Sequence, residues 1–235
     1  LKIIIVKDSQ QGGKAAFNIF AAALKKGARV FGLATGSTPL TTYQELVNSD
    51  LDFAQAISIN LDEYVGLKAD DPRSYHAYMQ KKLFNFKKFK HSFLPQGDAA
   101  DEQVEIERYN QVLTAHPIDL QLLGIGQNGH IGFNEPGSSF AEKTRKVALT
   151  NSTIEANSRF FENAAEVPRF AYSMGIGSIL QAKQILLEAF GTNKAVAVAK
   201  MIQGPVTTAC PASALQEHPN VTVILDQAAA ANLKN

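Results

Sequence analysis

Short apolar runs alternate with amphipathic stretches along the whole chain. Residues 2–6, 29–33, 56–61, 118–124, 169–174, 184–190 and 221–225 are rich in Val, Ile, Leu, Phe and Ala. Their length and branching suit strands buried on both faces. Between them, apolar residues recur at helical spacing. Ala16, Ile19, Phe20, Ala23 and Leu24 predict a helix over 15–26, closed by Gly27 and separated from the first strand by Gly12-Gly13. Further helices are expected over 40–47, over 74–83 with Ser74 as cap, and over 101–114 with Val104, Ile106, Tyr109, Val112 and Leu113 turned inward. Others follow from Ser152 or Thr153 through Phe161, over 179–182, and over 192–203, with short extended pieces at 90–94 and 146–149. Strand–helix alternation of this kind predicts an α/β fold: a Rossmann-like, mostly parallel sheet with helices on both faces. No Pro-, Gly- or Ser-rich linker interrupts it, so residues 1–235 are read as one domain.

Composition narrows the function classes. Hydrophobic residues make up 45% of the 235, enough for a full core, and the net charge is +1. No basic stripe stands out, which argues against nucleic acid as a partner. Lys81-Lys82 and Lys87-Lys88 read as a solvated face. No apolar run approaches the ~18 residues of a membrane span, and residues 1–6 lack the flanks of a signal peptide. The lone Cys210 reads as a small buried residue in a reducing compartment. A cytoplasmic protein is the expectation.

The chemistry concentrates in residues 122–137, LLGIGQNGHIGFNEPG. An apolar strand feeding a polar, glycine-rich loop is how an α/β protein presents reactive groups. The stretch Gly124-Ile125-Gly126-Gln127-Asn128-Gly129 matches G-x-G-x-x-G literally, but further helix breakers follow where a dinucleotide fold would open a helix. His130 and Glu135 lack the additional ligands and spacing of a zinc site. Acid–base work remains: an imidazole whose proton moves near neutral pH, with a carboxylate nearby on the same loop. No G-x-S-x-G elbow supplies a nucleophilic serine.

Two other strand ends complete the picture. Residues 34–39 run Ala-Thr-Gly-Ser-Thr-Pro into a helix. Gly36 permits close backbone approach, Ser37 and Thr38 offer hydroxyls, and Pro39 suits the first helical position. This is a phosphate-binding grammar without the Walker Gly-Lys-Ser/Thr; an ordinary capped turn is the alternative. The strand over 56–61 delivers Asp62-Glu63-Tyr64. Adjacent residues point to opposite faces, so one carboxylate is expected to face a cleft and the other to be solvated or paired. Two separated bases acting on a small phosphorylated molecule suggest isomerisation or enolisation.

The segments Gly36-Ser37-Thr38-Pro39, Asn60-Leu61-Asp62-Glu63-Tyr64-Val65-Gly66-Leu67, Gly126-Gln127-Asn128-Gly129-His130-Ile131-Gly132-Phe133-Asn134-Glu135-Pro136 and Asn157-Ser158-Arg159-Phe160-Phe161 together resemble the glucosamine-6-phosphate deaminase family. The resemblance implies aldose–ketose isomerisation with loss of ammonia, from glucosamine 6-phosphate to fructose 6-phosphate, with no cofactor and no metal. It implies that His130, oriented by Glu135, opens the ring and that Asp62 moves a proton from C2 to C1. Gly36, Ser37, Thr38, Arg159 and Lys194 match the family's phosphate contacts. The first segment is shared with the related 6-phosphogluconolactonases, which stand as the rival reading, with the galactosamine 6-phosphate epimer as another. Two departures stand out. Hexameric members carry aspartate where Asn128 stands, so His130 is expected to rely more on Glu135. Of the positions matching their N-acetylglucosamine 6-phosphate effector site, Arg145 is retained, but Val147 replaces a lysine. A monomer or small homo-oligomer without effector response is the expectation.

Overall fold

The computed structural model describes residues 1–150, 154–155, 161 and 166–234. Seven strands form the main sheet: β1 (Lys2–Val6), β2 (Val30–Leu33), β3 (Ile57–Asn60), β5 (His91–Phe93), β6 (Leu120–Leu123), β9 (Ile185–Ala189) and β10 (Val221–Asp226). Their order is β1-β10-β9-β6-β2-β3-β5, and every pairing is parallel. From β2 the chain builds outward through β3 to β5, whereas β6 lies on the other flank of β2 and leads toward β9. Loops leaving the carboxyl ends of β2 and β6 therefore diverge, which opens a crevice between them.

Alternation along the strands divides the core. Leu120, Leu122, Leu186 and Ile224 point to one face, where they meet α1 (Ser9–Lys25) and α2 (Leu40–Val47) through Ala16, Phe20, Tyr43 and Leu46. Leu123, Ile185, Leu187, Val223 and Leu225 point to the other, against α4 (Glu102–Ala115), α5 (Ile176–Ile179) and α6 (Ala195–Gln203). Phe20, Phe31 and Phe53 are fully buried and pack ring on ring, each contributing about 2–3 kcal/mol by burial.

A second, three-stranded antiparallel sheet, in the order β4-β8-β7, is made of β4 (Asp62–Tyr64), β7 (Arg145–Ala148) and β8 (Phe170–Ser173). It packs on its own cluster of Tyr64, Leu67, Phe133, Val147 and Ala171. The sequence pattern puts Asp62-Glu63-Tyr64 at the end of the preceding strand and reads 169–174 as one more strand of a mostly parallel sheet. In fact the chain leaves the main sheet after Asn60, and residues 62–64 pair with β8.

Other expectations need correction. Gly12 and Gly13 do not separate strand from helix. They lie inside α1, which begins at Ser9 with Asp8 accepting from the Gln11 N–H. A Cβ at Gly12 would sit 2.4 Å from the Phe190 ring, and one at Gly13 would sit 2.6 Å from the Thr41 backbone. Close packing, not chain breaking, explains the pair. Val104 is exposed, and its neighbour Glu105 is buried, accepting from the Gln96 N–H and pairing with Arg108. Lys81, Lys82 and Lys88 are solvated, but Lys87 donates to the carbonyls of Ser49 and Leu51 just beyond α2. The predicted helix from Ser152 or Thr153 lies largely outside the described residues. Helix α3 (Tyr75–Met79) carries Ser74 as its cap and continues into a wider π turn over Gln80–Phe84.

Candidate active site

The loops after β2 and β6, with β4 beside them, enclose a cavity of about 510 Å³, within the usual range for small-molecule sites. Thr35, Gly36, Ser37 and Thr38 form one wall. Gly36 has φ +92°, a conformation only glycine adopts without strain. Tyr43 Oη donates to the Ala34 carbonyl at 2.5 Å, and Tyr78 Oη donates to the Gly36 carbonyl at 2.6 Å. Both acceptors are thus engaged by phenols, and the loop offers mainly N–H and hydroxyl groups to an anion. Pro39 is the cap residue of α2 rather than its first helical residue, and no side chain caps the helix. Its first N–H groups face the loop with their dipole end positive.

Asp62 enters from β4, 6% exposed. Burial, and then the negative charge of Glu63, push its carboxyl up to about 8. Glu63 points away, as alternation requires. Its carboxylate accepts from the backbone N–H groups of Tyr64, Tyr75 and His76, each at 2.9 Å. One carboxylate faces the cleft and the other is paired, as expected from the sequence. Burial raises Glu63 to about 7 against the opposing pull of those three donors.

The β6 loop folds tightly on itself. The Gly126 N–H donates to the His130 carbonyl at 2.9 Å, and a Cβ at Gly126 would lie 2.3 Å from the imidazole. Asn128 stands between His130 and Glu135. Its Oδ1 lies 2.8 Å from His130 Nδ1, and its Nδ2 donates to Glu135 Oε2 at 2.6 Å. The amide orientation follows from its neighbours: the His130 backbone N–H needs an acceptor, and Glu135 needs a donor. Nδ1 is therefore the donor to Asn128, and in the neutral imidazole that tautomer leaves the lone pair on Nε2. Direct contact between Nδ1 and Glu135 Oε2 is longer, 3.6 Å. His130 reaches Glu135 chiefly through Asn128, whose amide stands between them. Gly132, at φ +56°, turns this loop beside Asp62, whose Oδ2 would be in ordinary contact, 3.6 Å, with a Cβ there.

Asp62, Asn128 and His130 line the same cavity, together with Tyr75, Phe133, Glu155 and Lys194. The Tyr75 and Phe133 rings are nearly parallel, 7° apart with centroids at 6.1 Å. Lys194 ends a 3₁₀ turn (Thr192–Lys194) before α6. Arg159 lies outside the described residues. Tyr43, Tyr75, Tyr78 and Phe133 escaped the sequence reading because an aromatic residue in a helix or loop looks like core until topology places it. A larger cavity of about 590 Å³ lies behind β4, lined by Glu63, Leu67, Phe93 and Arg108. None of the predicted site residues lines it, so the smaller cavity is the candidate site. The segment 126–137 does not open a helix, and among the described residues no three His, Cys, Asp or Glu side chains converge. No described helix is long and apolar enough to cross a membrane.

Comparison with known proteins shows the family. Residues 9–224 match the family model for glucosamine-6-phosphate isomerases/6-phosphogluconolactonase. The chain is 60% identical over 235 residues to a glucosamine-6-phosphate deaminase of Pediococcus pentosaceus, covering all of both. It is 62% identical over 234 residues to one of Ligilactobacillus salivarius, again at full coverage. The solved structure of a monomeric glucosamine-6-phosphate deaminase superimposes with TM-score 0.96 at 42% identity, covering 99% of this chain and 100% of that one. A 6-phosphogluconolactonase from Trypanosoma brucei shares the fold, with TM-score 0.83 at 19% identity and 99% and 98% coverage. The chain belongs to the glucosamine-6-phosphate isomerase/6-phosphogluconolactonase family, among its glucosamine-6-phosphate deaminases.

Proposed function

We propose that the protein converts glucosamine 6-phosphate and water to fructose 6-phosphate and ammonia. The observation that carries this reading is one cavity shared by Asp62, His130 and the Gly36–Thr38 loop. The 6-phosphate sits on that loop, with Lys194 and Arg159 supplying positive charge. His130 Nε2 takes the C1 hydroxyl proton and returns it to the ring oxygen, opening the pyranose. Asn128 and Glu135 hold the imidazole in the tautomer this needs and stabilise its charged form. Asp62 then removes the C2 proton to give an enolamine and delivers it to C1. Water hydrolyses the resulting imine, releasing ammonia and leaving the ketone.

Asp62 must be ionised to start. In the empty cavity burial favours its neutral form, but the substrate carries an ammonium at C2. A cation beside the carboxyl reverses that preference, so the substrate itself activates its base. Lactone hydrolysis takes place at the C1 carbonyl and moves no C2 proton, so it has no such use for Asp62.

The protein acts as a cytoplasmic small-molecule enzyme, monomeric or in a small oligomer. Arg145 is engaged with Asn134, Ser138 and Glu142, and Val147 is buried in the core of the small sheet. Positions 145 and 147 therefore do not supply a free basic pair for an effector phosphate, and rate curves should stay hyperbolic with N-acetylglucosamine 6-phosphate present. A curve that the effector converts from sigmoidal to hyperbolic contradicts this. For the chemistry, fructose 6-phosphate incubated with ammonium in deuterated water should gain deuterium at C1. Loss of that exchange in Asp62→Asn supports the assignment; exchange that persists removes Asp62 from it.

A further inference from the structure

Glu63 has no place in the chemistry above, yet it is buried, and among the described residues its carboxylate hydrogen bonds all come from backbone N–H groups. The first turn of α3 shows why. Its four leading N–H groups are all accounted for: Tyr75 and His76 donate to Glu63, Ala77 donates to Ser74 Oγ, and Tyr78 donates to the Ser74 carbonyl. Half of the helix start is therefore tied to β4 through one side chain. The same helix sends Tyr75 into the wall of the cavity and Tyr78 to the Gly36 carbonyl. Glu63 thus connects, through five residues of helix, the strand carrying the proposed base to the loop that takes the phosphate.

Electrostatics adds a second link. Glu63 and Asp62 are consecutive, in a region of low solvent exposure. The titratable groups around Asp62 are Glu63 and Tyr64 on its own strand, Tyr75 on α3 and Tyr109 on α4, with His130 across the cavity; of these, Glu63 is the one whose charge raises the Asp62 carboxyl, while the phenols respond to Asp62. Asp71 acts on Glu63, Tyr109 responds to it, and His76 and Arg108 line the space behind it. Among the described neighbours, Glu63 is the carboxylate whose charge acts on Asp62 across a single peptide unit.

We propose that Glu63 is a positioning residue with two separable effects: its backbone bonds hold α3, Tyr75 and the Gly36 loop in register with Asp62, and its charge acts on the Asp62 carboxyl. The charge effect matters to turnover only if Asp62 is the base, so that half rests on the function proposed above.

Two substitutions separate the effects. Glu63→Gln keeps the shape and two of the three acceptor contacts but removes the charge. Glu63→Asp keeps the charge but is one methylene too short to reach α3. Titrating the Asp62 carboxyl by ¹³C NMR should show its midpoint lowered by at least ~0.5 pH in Glu63→Gln and nearly unmoved in Glu63→Asp. Inorganic phosphate, used as probe for the Gly36 loop, should bind on the order of tenfold more weakly to Glu63→Asp, with a smaller change in Glu63→Gln. KM for glucosamine 6-phosphate should follow the phosphate series, and the acidic limb of the kcat/KM profile should follow the titration. A purely structural role moves both readouts in parallel in both variants, and that result overturns the proposal. So does an Asp62 midpoint indifferent to Glu63→Gln. Wild-type protein that releases no ammonia defeats the deaminase reading, while the titration and phosphate binding still decide the role of Glu63.

Discussion

Replacing Asp62 with asparagine should abolish turnover and stabilise the protein, with a pH dependence that identifies the cause. The carboxyl is raised from 3.8 to about 8 in the folded chain, by burial first and Glu63 second. Below pH ~4 it is protonated in both folded and unfolded states. Between pH ~4 and ~8 the unfolded chain releases the proton and the folded chain holds it. The unfolded state then binds fewer protons, so stability falls as pH rises through that window. At ~1.36 kcal/mol per pH unit, the span from 3.8 to pH 7 amounts to an upper bound of about 4 kcal/mol. Water in the open cavity and local relaxation reduce it to roughly 2 kcal/mol. Asparagine has the same shape and nothing to ionise. For a chain of this size Tm should rise by about 4–8 °C at pH 7 and by almost nothing at pH 4, while kcat falls by about 10²–10⁴ or more. Thermal unfolding at the two pH values, beside an ammonia assay, reads both. A gain of the same size at pH 4 and pH 7, or no gain at either, refutes the electrostatic argument.

Glu188, buried on β9, accepts from Thr42 Oγ1 at 2.5 Å and is pushed by burial to about 8. The same sign applies, so Glu188→Gln should flatten the loss of stability between pH 5 and pH 8 without altering KM; an unchanged stability profile contradicts this. Asn128→Ala breaks the bridge from His130 to Glu135 and should lower kcat by about tenfold or more on the closed sugar. It should leave phosphate affinity intact, and equal losses on closed and open-chain substrates would argue against a ring-opening role.

The legible parts of the sequence were those where local pattern and tertiary role coincide. Leu120, Leu122 and Leu123 are apolar because β6 is buried on both faces, and Gly126 is needed where the loop turns back on His130. The unread parts depend on distant partners. Gly12 and Gly13 look like breakers until Phe190 and Thr41 are seen against them. Val104 and Glu105 exchange their expected environments because Glu105 is held by Gln96 and Arg108. Asp62 was legible as a cleft carboxylate, but not the antiparallel pairing that aims it, since Ser173 lies 111 positions further along. Asn128 was legible as a departure from aspartate. That an amide can bridge imidazole and carboxylate, accepting from one and donating to the other, emerged only from its geometry.

Incubating the purified protein with glucosamine 6-phosphate in the presence of a chelator tests the central claim most directly. Ammonia and fructose 6-phosphate should appear in equal amounts, with 6-phosphogluconolactone left at its spontaneous rate of hydrolysis. Rapid opening of the lactone with no ammonia from the amino sugar would contradict the account.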